Sequence, residues 1–414
     1  SLVLPPEGYR LDCAIGTSFG LDFTALTALL LAMLDQPAGE AAWEQHARQL
    51  QAITTLDERV RVFVNRGQIH ADIRPSNRVF ALLDRSVADA HLENVSFHPK
   101  VWVLKYLPRR PVDLEVPAAK RAQPEADAVY RLLCTSRNLT LYSSWEAVVR
   151  LDGRCAGEYE AAEMGREVAA FFVQVTQQSG PLPPPLSALL QELPRVAFST
   201  EGSKAVRSCK FVWQWPGQQP LIDSIEAGGR TALVVSPFVR AGLLRELAAR
   251  FKQLLVVSRQ EELDALWSES LEELIPRRNV WVVKPDAAED ESMEEGVPQF
   301  LELHAKLLFC EYGRRGKAAR TEVWLGSANA SPRGWGSAGK KGSVNCEAMI
   351  RFSPGITPGQ FMEQFAYRQG GSDTEKDSPV LNGWLEQYVP RAPEPDSDAE
   401  QIEGVLDLAK EDLV

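Results

Sequence analysis

The sequence predicts a tandem α/β protein: two mixed-sheet repeats that pack about a pseudo-twofold axis into a bilobal unit with one shared cleft. Two observations carry this. The order His, Lys, Ser, Asn, Glu occurs twice, as His98, Lys100, Ser136, Asn138 and Glu146 and again as His304, Lys306, Ser327, Asn329 and Glu347. Upstream of each copy the same strand, helix and strand pattern recurs, and self-similarity at a long period means two copies of one domain. Residues 13–18 (CAIGTS), Phe19 and an apolar helix over 23–34 match residues 232–236 (ALVVS), Phe238 and a helix over 243–250. Residues 61–66 match 254–259, each a strand ending on an arginine.

Taken in order, residues 1–177 form the first repeat. Its first motif opens the strand 101–104 (VWVL), its second closes the strand 130–134 (YRLLC), and a helix over 157–176 ends it. Between the two strands, a proline-rich loop over 107–127 carries Arg109, Arg110, Lys120 and Arg121. Residues 178–227 are a linker, with a break at GPLPPP and a connecting strand over 205–214. The second repeat spans 228–370, with a helix over 261–274, a strand over 280–283, and strands HAKLLF (304–309) and TEVWL (321–325) around its motifs. Closing helices are expected over 360–367 and 381–389, and 371–414 otherwise reads as an acidic, mostly disordered tail.

The duplicated residues suggest a chemistry. A neutral imidazole can attack phosphorus, an ammonium can hold a phosphoryl oxygen, and the hydroxyls of Ser136 and Ser327 can complete the oxyanion contacts. A Lys two residues from a His shares its face of a strand. Arg314, Arg315, Lys317 and Arg320 form a basic hairpin expected at the cleft edge, placed to track a phosphodiester backbone. Trp145 and Trp335 follow the two Asn motifs, and either is a candidate for stacking a base at the cleft mouth or for packing in a core or lid. His46, His70 and His91 lack such a context and receive no role.

At these motifs the sequence resembles the phospholipase D superfamily, whose signature is a duplicated HxK followed by a small-Ser-x-Asn step. It is most similar to the nuclease and tyrosyl-DNA phosphodiesterase-like branches, the latter through residues 326–336 (GSANASPRGWG). The downstream Asp of the phospholipases is replaced by Lys105 in the first copy and Glu311 in the second. The resemblance implies a metal-independent phosphodiesterase with no cofactor, most readily a nuclease working through a phosphohistidine. A tyrosyl-DNA phosphodiesterase-like end-processing enzyme and a lipid phosphodiesterase are the alternatives. His98 and His304 would serve as nucleophile and general acid/base, in that order by analogy, although the symmetry of the sequence allows the reverse. Lys100, Lys306, Asn138 and Asn329 would bind phosphate, and Glu146 and Glu347 would each orient the His of its own half. Nucleic acid, DNA ahead of RNA, is the implied substrate. By fold analogy alone, a helicase or ATPase partner and a phage-defence setting follow.

Composition sets limits. A net charge of −11 argues against a protein coated with nucleic acid but leaves room for a local basic groove. Six scattered cysteines without a CxxC pair disfavour zinc sites and a disulfide framework, and a reduced cytoplasmic compartment is expected. The longest apolar run, residues 25–34, is too short to cross a bilayer, so no membrane association is expected.

Overall fold

The computed structural model describes residues 2–34, 54–70, 83, 85–109, 127–141, 144–156, 162–177, 180–200, 206–268, 271–283, 302–313, 320–340, 342–366 and 385–391. The first part of the chain contributes β1 (Tyr9–Ser18), β2 (Leu21–Asp22), α1 (Phe23–Met33), β3 (Val60–Asn65), β4 (Ile69–His70), β5 (Val87–Ala90), β6 (Val101–Pro108), β7 (Val129–Thr135), β8 (Ser144–Trp145) and β9 (Val148–Cys155). Helices α2 (Glu163–Thr176) and α3 (Pro184–Glu192) and strand β10 (Val196–Ser199) follow. The second part holds β11 (Val206–Gln214), β12 (Gly229–Val235), α4 (Ala241–Arg250), β13 (Phe251–Ser258), α5 (Gln260–Ser268), α6 (Leu271–Leu274), β14 (Val280–Val283), β15 (Glu302–Leu303) and β16 (Leu307–Tyr312). It ends with β17 (Arg320–Gly326), α7 (Pro332–Trp335), β18 (Glu347–Pro354), α8 (Pro358–Ala366) and β19 (Leu385–Gln387).

Two large mixed sheets result, ordered β10-β9-β7-β6-β1-β3-β5 and β11-β18-β17-β16-β12-β13-β14-β19. The inner orders correspond strand for strand: β9-β7-β6-β1-β3-β5 in one sheet, β18-β17-β16-β12-β13-β14 in the other. In each, a central parallel strand (β1 or β12) is flanked by a parallel neighbour and an antiparallel one. Buried residues Phe97, Val101, Tyr130 and Cys134 of the first half share one apolar core with Phe211, Cys346, Ala348 and Ile350 of the second. The halves therefore meet through a dry interface rather than across a hinge.

The connecting segment divides between the sheets: β10 pairs with β9, and β11 lies along β18. Of the helix expected over 381–389, residues 381–384 fall outside the described residues and the rest is not helical. Residues 385–387 form β19, pairing antiparallel with β14, with Leu385 buried and Glu386 and Gln387 exposed. The open edge of β14 needs hydrogen-bond partners, and that demand outweighs the weak helical periodicity of so short a segment. The two replaced Asp positions have new partners. Buried Lys105 donates to Glu192 of α3 at 2.8 Å, and buried Glu311 accepts from Arg230 at 3.3 Å.

Candidate active site

Each His-x-Lys motif lies just before its strand, His98 to Lys100 ahead of β6 and His304 to Lys306 ahead of β16. Each is tied to the opposite half. Phe97 forms a parallel bridge with Cys346, and the His98 N–H donates to the Cys346 carbonyl at 3.0 Å. In the related place β15 pairs parallel with β8, matching Leu303 to Trp145, and the His304 N–H donates to the Trp145 carbonyl at 2.9 Å.

That register decides the carboxylate partners. One residue beyond Phe97 and Cys346 come His98 and Glu347, and one beyond Leu303 and Trp145 come His304 and Glu146. His98 Nδ1 lies 3.0 Å from Glu347 Oε2, and His304 Nδ1 lies 3.2 Å from Glu146 Oε1. The expectation that each Glu orients the His of its own half is thus overturned: the partners are exchanged.

The serines are also reassigned. Ser136 donates a short hydrogen bond to Glu146 and accepts from the Ala147 N–H at 2.9 Å, while Ser327 does the same with Glu347 and the Ala348 N–H at 3.0 Å. Both serines are fully buried, so they hold the carboxylates and do not meet a substrate. Ser144 adds a 2.6 Å bond to Glu146. The result is two relays, Ser136–Glu146–His304 and Ser327–Glu347–His98, each crossing the interface.

Between the relays stand two buried lysines. Lys100 Nζ donates to the His98 carbonyl at 2.8 Å, and Lys306 Nζ to the His304 carbonyl at 2.7 Å. They are 1% and 0% exposed. Burial pulls Lys100 down to about 7 against the partial support of Glu347 and Glu146. Burial and the neighbouring Lys100 hold Lys306 well below the ordinary ammonium range. Burial lowers His98 to about 4 although Glu347 opposes the shift, and burial also lowers His304. Burial alone would raise Glu347 and Glu146, but their His and Ser partners outweigh it and keep both ionised below the usual carboxylate range. A carboxylate on Nδ1 requires that nitrogen to carry the proton, which leaves Nε2 of His98 as a free lone pair.

Asn138 and Asn329 stand at related positions, and each has a buried side-chain oxygen without a hydrogen-bond partner among the described residues. A cavity of about 450 Å³ opens beside His304, Glu146 and Asn138. Phe19, Gly20, Gln68, His70 and Thr140 line it as well. Sequence reasoning missed this wall. His70 arrives there because β4 pairs with β2 in parallel, setting His70 against Asp22. Its position just past β3, at the same sheet end as the motif residues, was the available signal.

Other candidates lie elsewhere. Trp335 is 2% exposed and packs edge-on against Trp324 at 5.7 Å, inside the core of the second half. Buried there, it cannot stack a base. Arg320 pairs with Glu226 at 2.6 Å and caps Tyr312 at 4.4 Å. Arg314, Arg315 and Lys317 fall outside the described residues. The strand ends that flank them, Tyr312 and Arg320, pair at the end of β16 and β17 remote from Lys306. Six strand residues at about 3.3 Å each put those ends roughly 20 Å from the site. In the same way β6 starts beside Lys100 and runs away from it to Pro108, and of the cations in the loop that follows, Arg110, Lys120 and Arg121 fall outside the described residues.

Two corresponding sheets with paired motifs at one shared site make up a phospholipase D-type fold. More particularly, the chain superposes on a crystal structure of a yeast tyrosyl-DNA phosphodiesterase mutant with a TM-score of 0.50 and 11% identity, covering 85% of this chain and 84% of that one. A second mutant, of yeast tyrosyl-DNA phosphodiesterase 1, aligns at a TM-score of 0.48 with 11% identity over 84% of both chains. Neither a protein-family profile nor any curated protein matches the sequence. The likeness is one of fold.

Proposed function

We propose that the chain is a phosphodiesterase that acts at nucleic acid ends, without a metal, through a phosphohistidine. The observation that carries this reading is the exchanged pair of His–Glu contacts around two buried lysines. It supplies one free imidazole nitrogen, one carboxylate-backed acid/base and two cations for phosphoryl oxygens, all at one point. His98 Nε2 attacks phosphorus as the bond to the leaving oxygen breaks, and that oxygen takes a proton from His304. Water then attacks phosphorus, the P–N bond breaks, and the water proton returns to His304, so both histidines regain their starting states. The deeper burial and larger pKa depression of His98 suit the nucleophile. The more open His304, whose side chain is 25% exposed against 11% for His98, suits proton exchange with leaving group and water.

Lys100, Lys306, Asn138 and Asn329 hold the phosphoryl oxygens, and an anion there restores the charge that burial takes from the lysines. Because His98 and both lysines are recessed, a chain terminus reaches them more readily than a phosphate within a duplex. The name of the yeast neighbour, an enzyme of tyrosyl-DNA, points the same way. Single-stranded oligonucleotides carrying an aryl phosphodiester at one end test the reading. The aryl group should leave with the oligonucleotide intact, in EDTA as in magnesium. His98→Ala should lose at least about 10³-fold in turnover. Cleavage abolished by EDTA and restored by magnesium would overturn the mechanism, and internal fragments would replace end processing with nuclease action.

A further inference from the structure

A hydrogen bond at Nδ1 fixes the tautomer and one corner of an imidazole, but it leaves the ring free to swing about that bond. At His98 a second contact removes the freedom. The Phe19 ring meets the His98 ring edge-to-face, with centroids 5.1 Å apart and planes at 61°. The Lys100 ammonium lies over the same Phe19 ring, 5.8 Å from its centre, within the range at which a ring face attracts a cation. One half-buried aromatic side chain therefore adjoins both the attacking histidine and the cation beside it.

The backbone that carries Phe19 is tied down on both sides. Thr17 Oγ1 accepts from the Val101 N–H at 2.9 Å, which joins the end of β1 to the residue after Lys100. Ser18 Oγ donates to the Gly20 carbonyl at 2.6 Å and accepts from the Leu139 N–H at 3.0 Å, while Leu21 bridges Leu139. Phe19 is thus pinned between the first His-x-Lys motif and the residue that follows Asn138. The second half repeats the bonds of Ser18: Ser236 Oγ donates to the Phe238 carbonyl at 2.8 Å and accepts from the Ala330 N–H at 3.0 Å. Leu139 and Ala330 directly follow Asn138 and Asn329, so Phe19 corresponds to Pro237, and its sequence match with Phe238 is off by one residue. Phe238 has a different partner, the Arg259 guanidinium at 4.4 Å. The position that sets an aromatic ring on His98 is a proline in the other half, where the His304 side chain is 25% exposed against 11% for His98.

Resting on the phosphodiesterase reading above, we infer that Phe19 is the positioning residue of the nucleophile: it fixes the plane of the His98 imidazole with Nε2 toward phosphorus and keeps water off the ring. Attack needs a lone pair aligned on the reacting atom, and a ring that swings loses that alignment for most of the time. Glu347 alone sets a corner of the imidazole, and Phe19 sets its plane. The charged groups that face His98 are Glu347 from β18, Lys100 from its own motif and Lys306 from the second half. Phe19 adds no charge to them, so its removal acts on the ring's order and its contact with water.

The test follows nitrophenol release from thymidine 3′-(4-nitrophenyl phosphate) in single turnover, which reports the attack step, together with its pH profile. Phe19→Ala should slow release at saturating ester by about 10- to 100-fold, the loss expected for a reacting group out of alignment. The ester concentration for half-maximal rate should stay nearly unchanged, because Lys306, Asn138 and Asn329 still bind the phosphoryl group. Water admitted to the imidazole relieves the burial that holds His98 at about 4, so the acid limb should move to higher pH. Phe19→Tyr, which keeps the ring, should restore both rate and limb. Should the alanine variant misfold, Phe19→Leu keeps the bulk without a planar ring and should show the same two changes in smaller measure. Wild-type rates and an unmoved acid limb in the folded Ala or Leu variant would make Phe19 a packing residue only and overturn the inference, while the phosphodiesterase reading would stand. A wild-type chain that released no nitrophenol would overturn that reading, and the inference with it.

Discussion

At the residue scale, the site is a balance of buried charges whose signs predict its response to pH. Glu146 supports the imidazolium of His304 by contact and by charge. Glu146→Gln should therefore lower the His304 pKa further and move the basic limb of the kcat/KM profile to lower pH, with the acid limb, set by His98 at about 4, nearly in place. A basic limb that stays put or moves up would show that His304 is not the acid. Lys100 titrates at about 7 when folded against 10.5 ordinarily, so the fold loses stability as pH falls from above 10.5 through 7. Tungstate, a phosphate mimic, should raise Tm by more at pH 6 than at pH 10, and Lys100→Met should raise the unliganded Tm at pH 6 while blunting that response. These residues were legible because His98, Lys100 and their copies repeat in order. The carboxylate partners and the serines were not, because a bridge between residues 249 positions apart (Phe97 to Cys346) sets them and no local pattern records it.

At the scale of elements, each strand and helix was readable where its own periodicity was strong, as in β6, β7 and α4. It failed where a neighbour's need decided, as in β19. Strand β16 illustrates a different gap: it runs away from His304, so that Tyr312 and Arg320 pair at the end of the sheet remote from the site. The Lys105–Glu192 pair shows how β6 and α3 compensate a motif position that the phospholipases fill with Asp. Both residues are buried, and Glu192 also accepts from the Tyr130 hydroxyl at 2.8 Å. Removing Glu192 leaves the buried Lys105 ammonium with only Asp12, at 3.8 Å, so Glu192→Ala should destabilise by roughly 3–5 kcal/mol in urea unfolding. Lys105→Met/Glu192→Leu should cost clearly less, since an apolar pair leaves no orphan charge. If the double variant is the weaker of the two, the pair is not behaving as a buried ion pair.

At the scale of the whole molecule, neither half owns a complete catalytic group. His98 depends on Glu347 and His304 on Glu146, so an isolated repeat has an imidazole with no carboxylate behind it and only one lysine. The exchange also makes the site nearly symmetric, and the deeper burial of His98, 11% exposed against 25% for His304, breaks the symmetry. With a 4-nitrophenyl nucleotide the leaving group needs little protonation, so His304→Asn should form the adduct at a substantial rate but release it slowly, because no base remains to activate water. Intact-mass measurement after mixing should show one added nucleotidyl group, and peptide mapping should place it on His98. His304→Ala should lose about 10²- to 10⁴-fold on a nucleoside leaving group and much less in the first step on nitrophenol. An adduct on His304 in the His98→Asn variant, with none on His98 in the reciprocal one, would exchange the two roles.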